Sequence, residues 1–168
     1  ETDRVRGRSA RELGVVAGMI KEARAAGAEV LECGQVHDEA LDRRGYFQKP
    51  TLVINPNHEL GVVREEQFGP LLPILPFDSE DQAIILANRS EFGLCSSVWT
   101  EDRDRAVKIA RKLEAGYTYL NAHGPTAQDG RGPFGGFKQS GFGRNLGYEG
   151  ILQFQGYHSI SGPSDWLF

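Results

Sequence analysis

No apolar run in this sequence approaches the about 20 residues needed to cross a bilayer, and the N-terminal "ETDRVRGRSARELG" is charged where a signal peptide needs its apolar stretch. A soluble, untargeted, cytoplasmic protein with no membrane partner is therefore expected. Cysteine is scarce: Cys33 and Cys95 form neither a disulfide framework nor a metal-ligand spacing, which suits a reducing compartment. The histidines His37, His58, His123 and His158 are scattered without partner ligands at metal spacing, so no metal is expected. Positive charge is not in surplus either. With 19 Lys and Arg against 23 Asp and Glu, the net charge of -4 offers no basic face, and nucleic acid is a poor partner. Internal repeats and low-complexity tracts are missing, and so is an initiator methionine, which suits a processed chain or a piece of a longer polypeptide.

What is present suffices for a real core. At 168 residues, 39% apolar and 10% aromatic, the chain can form one domain or a substantial part of a larger one. Helical spacing of Leu13, Val16, Ala17, Ile20 and Ala23, with Ser9 and Glu12 as a capping box, predicts a helix from Arg11 to about Ala26 that Gly27 stops. "AEVLECG" reads as a strand, "DEALDRRG" as a charged surface connection and "YFQKPTLVI" as a second strand-like run. Ser79 and Gln82 make another capping box, before a helix lined by Ala83, Ile84, Leu86 and Ala87. "GLCSSVWT" is a strand, and a helix from about Asp102 carries Ala106, Val107, Ile109, Ala110 and Leu113 and stops at Gly116 before the strand "YTYLN". The alternation predicts an α/β fold, a parallel-rich sheet with covering helices. From Ala122 the glycine-dense stretch cannot be regular and is too long for an ordinary connection, which points to function or packing. "ILQFQGYHSI" then alternates like a strand seeking a partner outside its own sheet.

One stretch, "VREEQFGPLLPILPF", sets two carboxylates before an apolar, proline-punctuated run. In an extended chain Glu66 and Phe68 share a face and Glu65 takes the other. An acceptor-only carboxylate beside an aromatic ring suits a sugar diol with a flat ring attached; a solvated strand entrance is the plain alternative. The glycines match no nucleotide loop. Gly141, Gly143 and Gly147 are spaced G-x-G-x-x-x-G with no strand before them, and in "GPFGGFKQS" Lys138 is followed by Gln139 where a phosphate loop needs serine or threonine. Tight turns with left-handed backbone account for them. Both cysteines sit on expected strands, where a small buried thiol is usual.

"GYFQKPTLV", "EEQFGPLLPILPF", "EFGLCSSVWTEDRDRAVKIARKLEAGYTYLN" and "PFGGFKQSGFGR" occur in the order and spacing of the C-terminal third of the NAD(P)-dependent aldehyde dehydrogenases. The resemblance runs from about Gly45 to Gln155. It implies that Glu66 accepts hydrogen bonds from the nicotinamide-side ribose, that Phe68 packs near the nicotinamide and that Leu94 borders it. It implies that Phe134 lines the aldehyde tunnel and that Asn121 and His123 lie where the family builds substrate selectivity, with loop anchoring as the plain alternative. Gln67 and Tyr119 depart from the commoner residues, an apolar residue or threonine and tryptophan respectively.

The resemblance also implies what the chain does not contain. The family's nucleophilic cysteine, its general-base glutamate and its adenosine-binding Rossmann segment have no counterpart here; "CGQ" at Cys33 has the letters in the wrong order and position. No catalytic residue is assigned. Residues 1–150 are expected to be the distal part of the catalytic domain, and 151–168 a terminal oligomerisation strand and tail. The implied cofactor is NAD or NADP, NAD preferred, and the implied partners are an aldehyde and further copies of the chain. Two readings stay open: the C-terminal segment of an oxidoreductase that turns aldehydes into acids, inactive alone, or a non-catalytic oligomerisation or interaction module that uses its terminal strand.

Overall fold

In the computed structural model, which describes residues 5–6, 9–34 and 45–167, the chain forms two compact units, 1–79 and 80–168. His37 and most of "DEALDRRG" lie outside the described residues. In the first unit β1 (Val5–Arg6) is followed by α1 (Ala10–Ala25), which starts where the Ser9 hydroxyl accepts the Glu12 amide at 3.2 Å. Val16, Met19, Ile20 and Ala23 form its buried stripe, and the chain turns at Gly27 as expected. β2 (Glu29–Glu32) follows. The run "YFQKPTLVI" is two strands, β3 (Phe47–Gln48) and β4 (Thr51–Ile54). Pro50 causes the break: it has no amide for a ladder, while its carbonyl accepts the Cys33 amide at 2.7 Å. β3 pairs antiparallel with β1, whereas β4 is the centre of a three-stranded sheet, antiparallel to β2 and parallel to β5 (Leu71–Ile74). Pro73 is tolerated in β5 because β5 ends that sheet.

The stripe of α1 packs with Val53, Val62 and Leu71. Each such fully buried side chain contributes about 1.5–3 kcal/mol, so this shared core, more than helix propensity, holds α1 in place. The stretch around Glu66 is less extended than expected. Gly61–Arg64 forms a short helix, α2, whose C-cap Glu65 is extended; residues 65–67 have no ladder partner among the described residues, and 68–70 bend before β5 begins. The bend brings Gly69 against α1: a Cβ there would meet Val16 Cγ2 at 2.7 Å.

In the second unit α3 (Glu80–Asn88) begins directly after Ser79 and buries Ile84, while Ala87, expected on the apolar face, is exposed. β6 (Phe92–Gly93) and β7 (Cys95–Val98) divide the expected strand "GLCSSVWT" at Leu94, and Trp99 lies beyond it, exposed. Asp102 caps α4 (Arg103–Ala110) by accepting the Arg105 amide at 2.9 Å. The helix ends short of Gly116, at Ala110, and β8 (Tyr117–Leu120) then pairs parallel with β7, so β7, α4 and β8 make a crossover unit. Glu80 ties α3 to α4, receiving Lys108 Nζ and Arg105 Nε at 3.0 Å each; its bond to Lys108 holds the carboxyl below the ordinary range.

The glycine-dense stretch holds a turn of 3-10 helix at Pro125–Ala127 and then β9 (Phe137–Lys138), antiparallel to β6. α5 (Gly147–Leu152) and α6 (Ser164–Leu167) complete the described elements. The architecture is mixed α/β. Among the described strands, parallel pairing is confined to β4 with β5 and β7 with β8. The expected strand "ILQFQGYHSI" is corrected at its start: Ile151 and Leu152 close α5, where the Gly150 amide reaches Leu146 O at 2.9 Å, so the backbone is satisfied within the turn. Residues 155–163 have no ladder partner among the described residues and form no strand. No described helix is long and apolar enough to cross a membrane.

Candidate functional site

Glu66 and Phe68 follow α2 in the first unit. Both are exposed, Phe68 by 60%, and no donor among the described residues meets the Glu66 carboxylate. Gln67 between them is tucked in, its Nε2 donating to Leu71 O at 2.9 Å. That bond pins the middle of the tripeptide to the first residue of β5 and leaves its two neighbours outside. Glu65 is exposed as well, so exposure does not separate the two glutamates. The bend at 68–70 replaces the continuous alternation expected from an extended strand.

In the second unit Leu94 and Phe134 line one open cavity of ≈310 Å³, together with Phe142, Arg144, Asn145 and Gln153. Leu94 is exposed between β6 and β7, and Phe134 is half-buried. Phe134 is held by a two-way backbone exchange with Asn145, donating at 2.6 Å and accepting at 2.7 Å. Behind it, a Cβ on Gly116 would run into the carbonyl of Gly135, so only glycine lets the "PFGG" backbone lie this close to the start of β8. Gly135 and Gly136 thus serve close approach, while Gly141, Gly143 and Gly147 have positive φ, the left-handed turns expected. Arg144 donates from Nη1 to Gly136 O and Gly143 O and lies 5.4 Å from the centre of the Phe137 ring.

Asn121 and His123 sit past the end of β8. Asn121 has φ 49° and its amide is engaged with the Thr100 peptide, an anchoring geometry. His123 is exposed, its ring 5.3 Å from that of Tyr119. Tyr119 is only 5% exposed and stacks at 4.7 Å on Tyr117, which in turn lies 6.0 Å from Phe134. These rings form a packed wall running back from the cavity. Burial pushes the Cys95 thiol up, opposed by a hydrogen bond from Tyr119, so this cysteine is held as thiol. Among the described residues no group of histidine, cysteine and carboxylate side chains could hold a metal. Sequence reasoning gave no role to Lys138, whose position in "PFGGFKQSG" carries the only hint; its ammonium reaches Asn88 O, Ser90 O and Glu114.

The model of the aldehyde dehydrogenase family matches residues 8–160. Geranial dehydrogenase of Castellaniella defragrans is 44% identical over 117 residues, 70% of this chain and 24% of that protein. Chloroplastic betaine aldehyde dehydrogenase of Beta vulgaris is 41% identical over 132 residues, 79% of this chain and 26% of that protein. Among solved structures, an aldehyde dehydrogenase of Mycobacterium tuberculosis complexed with NAD+ superposes with a TM-score of 0.78 at 38% identity, covering 87% of this chain and 29% of that one. The chain thus spans about a quarter of the length of these relatives. With several motifs in order, a family model over most of its length and this shared fold, the chain belongs to the aldehyde dehydrogenase family.

Proposed function

We propose that this chain is the distal part of the catalytic domain of an enzyme that oxidises an aldehyde to a carboxylic acid with NAD(P)+. The observation that carries the reading is the Glu66 carboxylate, exposed and without a donor among the described residues, two positions before an exposed Phe68. Two vicinal hydroxyls would supply the missing donors, and a charged acceptor strengthens both bonds. Phe68 offers a flat apolar face to the ring attached to that sugar, so Glu66 and Phe68, both in the first unit, fit the ribose of the nicotinamide half of the cofactor and its ring. In the second unit Leu94 and Phe134 line a cavity of their own, with the apolar side chains that an aldehyde tunnel needs. NAD is favoured by the bound NAD+ of the Mycobacterium tuberculosis relative. Glu66 and Phe68 would hold the nicotinamide end of the cofactor, which would supply an acceptor for hydride from the aldehyde carbon.

The chain's own share of the work is positioning. Glu66 fixes the sugar, Leu94 and Phe134 exclude water beside the reacting carbon, and Asn121 anchors the loop on which His123 meets the variable part of the substrate. The nucleophile and general base are expected from the rest of the polypeptide, because neither Cys33 nor Cys95 stands in the motif that carries the family's nucleophile. The 168-residue chain alone is then inactive. Grafting residues 8–160 into the Mycobacterium tuberculosis relative tests the reading: the chimera should form NADH from an aldehyde, and the isolated chain should not. NADH formed by the isolated chain and abolished by Cys33→Ala or Cys95→Ala would refute it, as would a folded but inactive chimera.

A second reading, an interaction module working through its C-terminal segment, is favoured by the exposure of Phe154, Tyr157, Ile160 and Trp166. It predicts association without any contribution of Glu66 to cofactor binding.

A further inference from the structure

The ends of α3 and α4 meet at a polar knot that the sequence reading did not anticipate. The Asn88 side chain, at the last residue of α3, donates to Lys112 O at 2.8 Å and accepts from the Glu114 amide at 2.9 Å, both just past α4. Lys138 enters the same knot from β9. Its Nζ donates to Asn88 O at 2.6 Å and Ser90 O at 3.0 Å and pairs with Glu114 Oε2 at 2.7 Å. All three of its protons are accounted for, two of them by carbonyls at the negative end of α3, where a cation is favoured. Its backbone sits at φ 53°, a region uncommon for a residue with a side chain, and an outlier of this kind invites a role.

We propose that Lys138 is a positioning residue for the cavity between Leu94 and Phe134. β6 and β9 are two residues each, too short to fix one another by a ladder alone. They are locked by Gly93 N to Ser140 Oγ at 3.0 Å, by Gln139 N to Glu91 O at 2.9 Å and by the Lys138 ammonium bridging to α3. Leu94 follows β6 immediately and Phe134 comes shortly before β9. The ammonium therefore sets the separation of the two walls while touching neither. Its bearing on catalysis rests on the proposed roles of Leu94 and Phe134; the clamp itself does not, so the two ideas fail in different experiments.

Amide hydrogen exchange on the 168-residue chain tests the clamp. Lys138→Met keeps the aliphatic stem and removes the charge. Protection at Gly93 and Gln139 should fall about tenfold or more, the loss expected for charge-assisted bonds, while Asn121 and Ala106, bonded to Val98 O and Asp102 O in the same unit, should keep theirs. Lys138→Arg, which retains the charge at the end of α3, should recover most of the protection. If Lys138→Met does not fold, Glu114→Gln, which removes only the ion-pair partner, carries the same test with a smaller local loss. Unchanged protection at Gly93 and Gln139, a loss shared equally by Asn121 and Ala106, or identical behaviour of the Met and Arg variants would each overturn the proposal.

Discussion

Asn121 grips the backbone of Thr100 on both sides of its Cα, donating from Nδ2 to Thr100 O and accepting the Thr100 amide on Oδ1, each at 2.8 Å. The pair joins the end of β8 to the segment that leads from β7 into α4, and does so from φ 49°, a conformation asparagine tolerates better than most residues. Asn121→Ala should lower the stability of the chain by about 1–3 kcal/mol, because two backbone groups lose their partner and the left-handed backbone loses its best occupant. Chemical denaturation measures this. A midpoint identical to wild type would show that water replaces the amide at no cost.

The two glutamates after α2 should separate in function although both are exposed. In the chimeric enzyme Glu66→Gln replaces a charged acceptor by a neutral one of the same shape, which weakens bonds worth about 1.5–3 kcal/mol and should slow single-turnover NADH formation roughly tenfold or more. Overall cofactor affinity should change less if the Mycobacterium tuberculosis part of the chimera holds the adenosine half. Glu65→Gln should leave both nearly unchanged. Equal defects in the two variants, or the larger one at Glu65, would reject the assignment.

Asp129 and Arg131 form a two-pronged pair in the glycine-dense stretch, with Nη2 to Oδ2 at 2.7 Å and Nε to Oδ1 at 3.0 Å. The Arg131 side chain holds the Asp129 carboxyl at about 2, below its ordinary 3.8. A depressed carboxyl favours the folded loop above 3.8 and loses that contribution as pH falls through about 2. A carboxyl-carbon NMR titration should find the midpoint near the lower figure, and Arg131→Gln should raise it toward 3.8. A midpoint that ignores the substitution would assign the shift to some other donor.

At the C-terminal end Phe154 is 89% exposed and Tyr157 91%, with Ile160 and Trp166 little better covered. Apolar side chains in such density seek cover, and the chain should sediment as more than a monomer. Removing residues 153–168 should shift it toward the monomer. A clean monomer before and after truncation would assign the exposed rings no part in association.

Local signals were the legible ones. Ser9 and Asp102 announce helix starts, Gly27 a helix end, and "YTYLN" a strand, because each depends on bonds within a few residues. Of the candidate site residues, Leu94 and Phe134 came from motif order alone, Glu66 and Phe68 from strand alternation and motif order together; the exposure of the latter pair and the cavity beside the former were beyond the reach of either. Some of what failed was set by distant partners. The break at Leu94 depends on which neighbours β6 and β7 find; the break at Pro50 and the helical ending at Leu152 are local, and were missed because an apolar or alternating pattern records neither a missing amide nor a bond within a turn. Lys138 was invisible for the same reason as the break at Leu94: its three partners lie on segments between 24 and 50 positions away.

The exchange between Phe134 and Asn145 closes the residues between them into a ring whose neck is made of two short backbone bonds and whose outer side carries Phe142, wholly exposed. A ring of this kind keeps the path of the chain in its neck. A protease that cuts after aromatic residues would find Phe142, yet the new ends would stay in register, one held at Phe134 and the other at Asn145, with Arg144 Nη1 still reaching across to Gly136 O. Covalent continuity and positional continuity would then be separable at this point, and the Phe134 wall of the cavity would depend on the second.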